Sequence, residues 1–304
     1  MQLGFVGLGK MGGNMVHRIH RDSDHQVVAF DFNEDAVKTA EGHGATSASS
    51  LEDLVSKLEA PRTVWVMVPA GEPTESTVKQ LAELLDEGDI IVDGGNTNWH
   101  DDIRRAGELD AMGIHYIDVG TSGGVWGLQV GYCMMVGGHE ESVQRLAPIL
   151  DVLAPPDGWR QFGDAGAGHF VKMVHNGVEY GLMQAYAEGF DLMKQSKFPI
   201  DLSEVAGLWN RGSVVRSWLC ELAERAFQEE GDDLTEIRGH VSDSGEGRWT
   251  IVDAIDHDVP TPVITAALYA RFYSRGNGDY THRVLAALRG QFGGHAIERA
   301  AGGG

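Results

Sequence analysis

Residues 2–15 read QLGFVGLGKMGGNM, an apolar run that stops at glycines and resumes as a helical pattern. Within it, Gly7-Leu8-Gly9-Lys10-Met11-Gly12 has the spacing G-x-G-x-x-G, directly after a strand and at the opening of a helix. In that setting the first glycine allows a tight turn and the second lets the backbone approach a pyrophosphate. The third lets helix and strand pack closely. The helix N-terminus then offers unpaired N–H groups to the phosphates. A second strand, QVVAFDF at 26–32, carries Asp31 near its end, 19 residues beyond Gly12. A carboxylate there suits hydrogen bonds from an adenosine ribose and repels a 2′-phosphate. No Arg follows in Asp31-Phe32-Asn33-Glu34, so NAD is expected over NADP. The alternative is a cluster of turn glycines with a helix-capping aspartate.

Outward from this stretch, strand-like and helical patterns alternate. Apolar runs stand at 63–68 (TVWVMV), 89–95 (DIIVDGG), 115–120 (HYIDVG) and 132–138 (YCMMVGG), with helical patterns at 34–42, 50–58, 74–86, 99–112 and about 140–153. Alternation of this kind implies a Rossmann-type α/β domain with a parallel sheet, and near-continuous apolar strands imply that both faces are covered. Val68-Pro69-Ala70 and Asp93-Gly94-Gly95-Asn96 end two strands on the edge where such sheets bind ligands, which adds Val68 and Asn96 to the cofactor-binding set. After Pro155-Pro156-Asp157-Gly158 and a short strand near 159–163, only helical patterns remain, at 167–195, 202–211, 214–229, 247–257, 261–275 and 279–290. The expected domains are 1–163, binding the dinucleotide, and 164–304, all-α, binding substrate and self-associating.

A formal net charge of −21 makes nucleic acid an unsuitable partner, because phosphate backbones need a basic surface. The bias of 7 Lys against 17 Arg, with abundant acids, fits proteins of salt-loving organisms and equally an ordinary acidic enzyme. Two cysteines, Cys133 and Cys220, lack paired spacing, which argues against a disulfide framework and a cysteine metal site; no metal is expected. No run of 18 apolar residues and no leader pattern stand in the chain, so a cytoplasmic protein without a membrane span is expected.

The second informative stretch is GAGHFVKMVHNGVEYG at 166–181. Lys172, His175, Asn176, Glu179 and Tyr180 fall at i, i+3, i+4, i+7 and i+8, one face of a helix. Val171, Val174, Val178, Leu182 and Ala185 form an apolar stripe on the other side, expected to pack inward. A lone cation, a lone acid, an amide and an imidazole behind a glycine-rich entry read as the lining of a polar site. The alternative is a solvated face, which would more readily mix Lys, Glu and Gln.

Together these motifs resemble the β-hydroxyacid dehydrogenase superfamily and, within it, the shorter type of the 6-phosphogluconate dehydrogenase family, from Gly4 to about His295. GFVGLGKMGGNM at 4–15 marks the superfamily. Asp93-Gly94-Gly95-Asn96 is more specific, and Thr121-Ser122-Gly123-Gly124-Val125-Trp126-Gly127 is similar to the family's substrate loop. GHFVKMVHNGVEYG and Arg289-Gly290-Gln291-Phe292-Gly293-Gly294-His295 are highly specific. The resemblance implies oxidation of 6-phosphogluconate at its 3-hydroxyl and loss of CO₂, giving ribulose 5-phosphate in gluconate utilisation and the pentose phosphate pathway. Lys172 would be the general base and must start neutral, which burial or a nearby cation can arrange. Glu179, about 10 Å further along the helix, would protonate C1 and would need a raised pKa. Asn176 and His175 would orient hydroxyls and carboxylate; Ser122, Gly123, Gly124 and Asn96 would hold the substrate. Tyr180, Arg271 and Arg289 would grip the 6-phosphate, with Arg275 one turn away as the alternative to Arg271. Arg289 and His295 would come from a neighbouring subunit, so a homo-oligomer, dimer or tetramer, is expected, burying the apolar helices at 214–227 and 261–273.

Two departures from the family pattern stand out. Asp243-Ser244-Gly245-Glu246-Gly247-Arg248-Trp249 lacks the Lys and Thr with which longer relatives contact the phosphate, leaving Arg248 as the available substitute. Trp126, where longer relatives often have an acid, has no explanation. Two other functions compete: a related 3-hydroxyacid dehydrogenase acting on a smaller substrate without decarboxylation, and an NAD-binding regulator without turnover. Glu179 with Tyr180 disfavours the first, and an intact Lys/Asn/Glu face disfavours the second.

Overall fold

Eight strands and twelve helices follow one another in a computed structural model that describes residues 1–278 and 280–284. The first part runs β1 (Gln2–Val6), α1 (Lys10–Asp22), β2 (Gln26–Phe30), α2 (Glu34–Gly42), β3 (Thr46–Ser47), α3 (Leu51–Ser56), β4 (Thr63–Val66) and α4 (Glu72–Leu84). It continues with β5 (Ile90–Asp93), α5 (Trp99–Asp110), β6 (His115–Ser122), α6 (Gly127–Val130), β7 (Cys133–Gly138), α7 (Glu140–Leu153) and β8 (Trp159–Gly163). The strands form one sheet in the order β3-β2-β1-β4-β5-β6-β7-β8. The α/β class expected from the alternating patterns is what the chain adopts. The sheet is not uniformly parallel, because β7, reached through the connection that holds α6, pairs antiparallel with β6, Ser122 facing Cys133.

Alternate residues of each strand feed two separate cores, as a period of two requires. Leu3, Phe5, Trp65, Ile90, Val92 and Ile117 pack with Met15, Val16 and Ile19 of α1 and Leu146, Ile149 and Leu150 of α7. Val6, Val28, Val64, Val66 and Ile91 pack on the opposite face with Leu54 of α3, Val78 and Leu81 of α4 and Leu109 of α5. Helix starts follow from local caps: Asn33, Ser50 and Asn98 accept from the backbone N–H groups of Asp35, Asp53 and His100.

Helices then take over: α8 (Ala167–Lys194), α9 (Leu202–Trp209), α10 (Trp218–Glu230), α11 (Glu246–Asp256) and α12 (Pro262–Ser274). Helix α10 starts at Trp218, not near 214, because the Ser217 hydroxyl accepts from Cys220 N and sets the first turn. Met1–Val174 form one compact unit and the described residues from His175 onward a second, the division falling inside α8. The second unit has two small cores. Phe190, Leu202, Ala206, Cys220 and Phe227 make one; Tyr180, Ala267 and Leu268 make the other. Among the described residues no helix is long and apolar enough to cross a membrane.

Candidate active site

The glycine turn after β1 is built for close approach. Gly7 sits at φ +97°, donates its N–H to Phe30 O at 2.9 Å, and a Cβ there would lie 2.4 Å from Met67 O. A Cβ on Gly12 would lie 2.0 Å from Gly7 O, so α1 can pack on β1 only with glycine there. Gly9 caps α1 without a side-chain hydrogen bond, and nothing stands within 4 Å of where its Cβ would be. Gly7 and Gly9 line a cleft of about 290 Å³ with Asp31, Val68, Pro69, Thr77 and Gln80. The Asp31 carboxylate ties the two loops of this cleft together, accepting from Leu8 N at 2.6 Å and Asn33 N at 2.7 Å. Each oxygen keeps a further lone pair for a ligand. Lys10 and Met11 begin α1. An uncapped helix start, an unobstructed glycine and a carboxylate across the cleft are the donor and acceptor set that a dinucleotide needs.

The neighbouring strands β5 and β6 pair in parallel, Asp93 opposite Asp118, and so deliver Asn96 and Ser122 to one edge of the sheet. Gly123 and Gly124 follow Ser122 at φ +128° and +53° in a short helical turn, and Asn14 Nδ2 of α1 holds Val125 O at 3.4 Å. Helix α8 lies directly on β6: a Cβ on Gly120 would come within 2.3 Å of Lys172 Cβ. Lys172 is thereby buried, 8% exposed, beside the strand that ends in Ser122.

Beneath this edge is a network that the sequence reading did not single out. Asp118 accepts from Gly166 N at 2.7 Å and from His169 N at 2.8 Å, anchoring the first turn of α8. The ring of His169 places Nδ1 2.7 Å from Asp102 Oδ2 and Nε2 3.2 Å from Gly95 O. Gly95 N in turn donates to Asp93 Oδ1 at 2.9 Å, and Thr97 Oγ1 to Asp93 Oδ2 at 2.7 Å. The Tyr116 hydroxyl stands 2.9 Å from both Asp93 and Asp102, and Arg105 reaches Asp93 at 3.3 Å. Burial pushes the Asp118 carboxyl up to about 6, against the pull of His169 and the two amides. Burial disfavours the His169 cation, yet Asp102, with Asp93 and Asp118 behind it, holds its pKa up to about 10. A charged residue inside a strand covered on both faces, as in HYIDVG, was the available signal.

On α8 beyond the division, the exposure of the two stripes reverses the expectation. Tyr180 is buried and His175, Asn176 and Glu179 are half-buried, whereas Val178 and Leu182 of the apolar stripe are 48% and 46% exposed and Ala185 is exposed too; in the first unit, Val171 of that stripe is half-buried and Val174 exposed. The reason is that α11 packs on the side of α8 bearing Gly177 and Tyr180. A Cβ on Gly177 would lie 2.7 Å from Thr250 Cγ2, and one on Gly247 2.6 Å from the Tyr180 ring. His175 Nδ1 lies 2.9 Å from Asn176 Oδ1. The Tyr180 hydroxyl accepts from Ser244 N at 3.3 Å, and the Arg271 guanidinium lies 3.5 Å from the Tyr180 ring centroid. Arg271 also donates to Ser242 O at 3.0 Å. Asp243 binds Arg248 at 2.8 Å and Arg275 at 3.1 Å, and these arginines hold its carboxyl down to about 2 against burial. Tyr180 and Arg271 are thus brought together, with Arg248 and Arg275 gathered on Asp243 of the same segment. Arg289 and His295 lie outside the described residues.

A family model described as the NAD binding domain of 6-phosphogluconate dehydrogenase matches residues 2–163, and one described as the 6-phosphogluconate dehydrogenase C-terminal domain matches residues 168–291. The chain is 46% identical over 300 residues to the Haloferax volcanii protein named 6-phosphogluconate dehydrogenase, NAD(+)-dependent, decarboxylating, covering 98% of this chain and 99% of that one. A Bacillus subtilis protein of the same name is 36% identical over 286 residues, covering 90% of this chain and 61% of that longer protein. Among solved structures, Plasmodium falciparum 6-phosphogluconate dehydrogenase superposes with a TM-score of 0.83 at 27% identity, over 99% of this chain and 66% of that one. With both halves matched, and a relative nearly half identical along almost all of the sequence, the chain belongs to the 6-phosphogluconate dehydrogenase family.

Proposed function

We propose that this protein oxidises and decarboxylates 6-phosphogluconate to ribulose 5-phosphate and CO₂ with NAD as acceptor, in the cytoplasm, as a step of the pentose phosphate pathway. The observation that carries this reading is the exposure pattern of α8, where Lys172 and Tyr180 are buried and His175, Asn176 and Glu179 half-buried while Val174, Val178, Leu182 and Ala185 are exposed. Shielding Lys and Tyr while Val and Leu stay exposed runs against the usual preference of a folded chain and supports a role for those polar groups. Residues 1–163 bind the dinucleotide and 164–304 bind substrate and associate with a second copy.

NAD, bound through Gly7, Leu8, Gly9, Lys10, Met11, Gly12, Asp31, Val68 and Asn96, supplies the hydride acceptor. Lys172 takes the proton of the 3-hydroxyl and, as an ammonium, then hydrogen-bonds the new carbonyl and stabilises the enolate left when CO₂ departs. Glu179, two turns further along the helix, protonates C1. His175 and Asn176 orient the hydroxyls; Asn96, Ser122, Gly123 and Gly124 hold the carboxylate end. Tyr180 and Arg271, with Arg289 from a second copy, take the phosphate, His295 of that copy joins the substrate site, and Arg248 stands in for the Lys and Thr of longer relatives. Arginine forks match phosphate oxygens, which suits this cluster to the task. Asp31, with no Arg after it, supports NAD over NADP.

Reduced-nicotinamide absorbance with 6-phosphogluconate and either NAD or NADP, with the released CO₂ trapped, tests this reading. NAD reduction with equimolar CO₂ is expected. Reduction without CO₂ would instead favour a smaller-substrate 3-hydroxyacid dehydrogenase, and faster reduction of NADP would remove the cofactor assignment.

A further inference from the structure

We infer that His169 is a positioning residue, which fixes the Gly95–Asn96 turn against the first turn of α8 and so sets Asn96 and Lys172 in register for the reaction. This rests on the function proposed above. His169 precedes Lys172 by three residues, one helical turn, and it is bonded to three elements that meet at this edge. Its backbone N–H goes to Asp118 on β6, its Nδ1 to Asp102 on α5, and its Nε2 to the carbonyl of Gly95, in the loop after β5. Gly95 is held from both sides, by its N–H on Asp93 and its carbonyl on His169. The backbone that presents Asn96 has little freedom left.

The chemistry of the ring explains why a histidine stands here. A carbonyl only accepts, so Nε2 must carry a hydrogen, and a carboxylate at Nδ1 calls for a second. A doubly protonated imidazole meets both needs, and Asp102 supplies the charge that keeps it so in a fully buried place. The ligand atoms of Asp102, Asp118 and His169 lie within 4.8 Å of one another, as in a cation site. Each already has a protein partner, however: two amides on Asp118, the ring on Asp102. The cluster joins pieces of backbone together.

Three substitutions separate positioning from mere support. His169→Gln keeps an N–H donor where Nε2 stood, and Asp102→Asn lets the amide donate to Nδ1 and leaves Nε2–H on Gly95. His169→Asn places its amide near Asp102 and leaves Gly95 O without a donor. With 6-phosphogluconate and NAD, His169→Asn is expected to lose about 100-fold in kcat/KM, the scale of a 1 Å misplacement. His169→Gln and Asp102→Asn are expected to stay within about tenfold of the parent. Amide exchange of the peptide over 94–98, which needs no turnover, should accelerate at least about tenfold in His169→Asn and stay near parental in the other two. Activity that follows thermal midpoint instead of the Gly95 donor would overturn the inference, as would equal exchange of 94–98 in His169→Asn and His169→Gln. If His169→Asn does not fold, a full hundredfold loss in either remaining variant would overturn it too. An inactive parent enzyme would defeat the proposed function alone, and exchange of 94–98 would still decide the role of His169.

Discussion

The two units of this chain differ in how much of their apolar surface they gather into a core, although both leave some exposed, Phe32 91% and Val130 62% in the first unit. Met1–Val174 completes its own interior: Trp65, Tyr132, Phe5, Met15 and Ile117 are fully buried, and both faces of the sheet are covered by helices. The helical unit leaves Leu192 75% and Ile255 69% exposed, along with Leu208, Val214, Trp218 and Val263. A groove of about 700 Å³ between α8, α9 and α10 is lined by Phe190, Leu202, Leu222 and Phe227. Their polar groups differ in the same sense. The first unit sinks Asp93, Asp102, Asp118, Arg105 and His169 into a network, whereas the second gathers Arg248 and Arg275 around Asp243 nearer the surface. The first unit has the larger cores, and the exposed apolar side chains of the helical unit fit the association with a second copy proposed above.

The largest expected effect lies in the first unit. Lys172→Met should lower kcat by roughly 10³-fold, within the span attributed to a general base, while calorimetric binding of 6-phosphogluconate persists. A variant that turned over at near-parental rate would strip Lys172 of its role. The next effect breaks the comparison itself. The double substitution Val178→Glu and Leu182→Glu puts two charges on the exposed stripe of α8. Burying two such side chains between copies is worth roughly 3–6 kcal/mol, so the variant should sediment as a monomer at concentrations where the parent is a dimer or tetramer. NAD binding by the first unit should be unaffected. A parent that is itself monomeric would end the oligomer proposal. Asp31→Arg comes third: removing an acceptor for the ribose and adding a phosphate fork should shift the NADP-to-NAD ratio of kcat/KM by about 10- to 100-fold, the worth of one charge-assisted hydrogen bond. An unchanged ratio would sink the assignment of Asp31.

The same contrast explains what the sequence made legible. The α/β class and its helical continuation were readable because near-continuous apolar runs and glycine turns are local signals. Strand β3 was not, since two residues, Thr46 and Ser47, leave no pattern and owe their pairing to β2. That α8 carries two distinct faces was readable from spacing, but which stripe would be covered was not. That depends on α11 lying over Gly177 and Tyr180, a contact with residues about 70 positions away, such as Thr250. The anchor of Asp118 on His169 spans 51 residues and is equally non-local. Only the oddity of an acid inside HYIDVG pointed toward it. Periodicity reports that a face is distinct, while the partner that covers it is set by tertiary packing.

The smallest predicted effect concerns the charges of the helical unit. Arg248 and Arg275 hold Asp243 down to about 2, below its ordinary carboxylate value of 3.8. A depressed carboxyl contributes stability that is present above its unfolded pKa and disappears as pH falls through the folded one. The stabilisation is therefore full above about pH 4 and gone near pH 2. Arg248 is half-exposed, so solvent screens the pair and the contribution is about 1 kcal/mol. Asp243→Asn should lower the neutral-pH stability of the helical unit by that amount and converge with the parent near pH 2. Amide exchange in α11 and α12, followed against pH, reads this directly. The first unit carries a carboxyl of its own, Glu75, that Arg104 also holds down to about 2, with Lys79 and Arg105 assisting. Exchange in α4 and α5 should therefore keep its acid dependence in the variant. Equal loss in both units would mean that Asp243 stabilises the chain as a whole and that the two halves are not energetically separate.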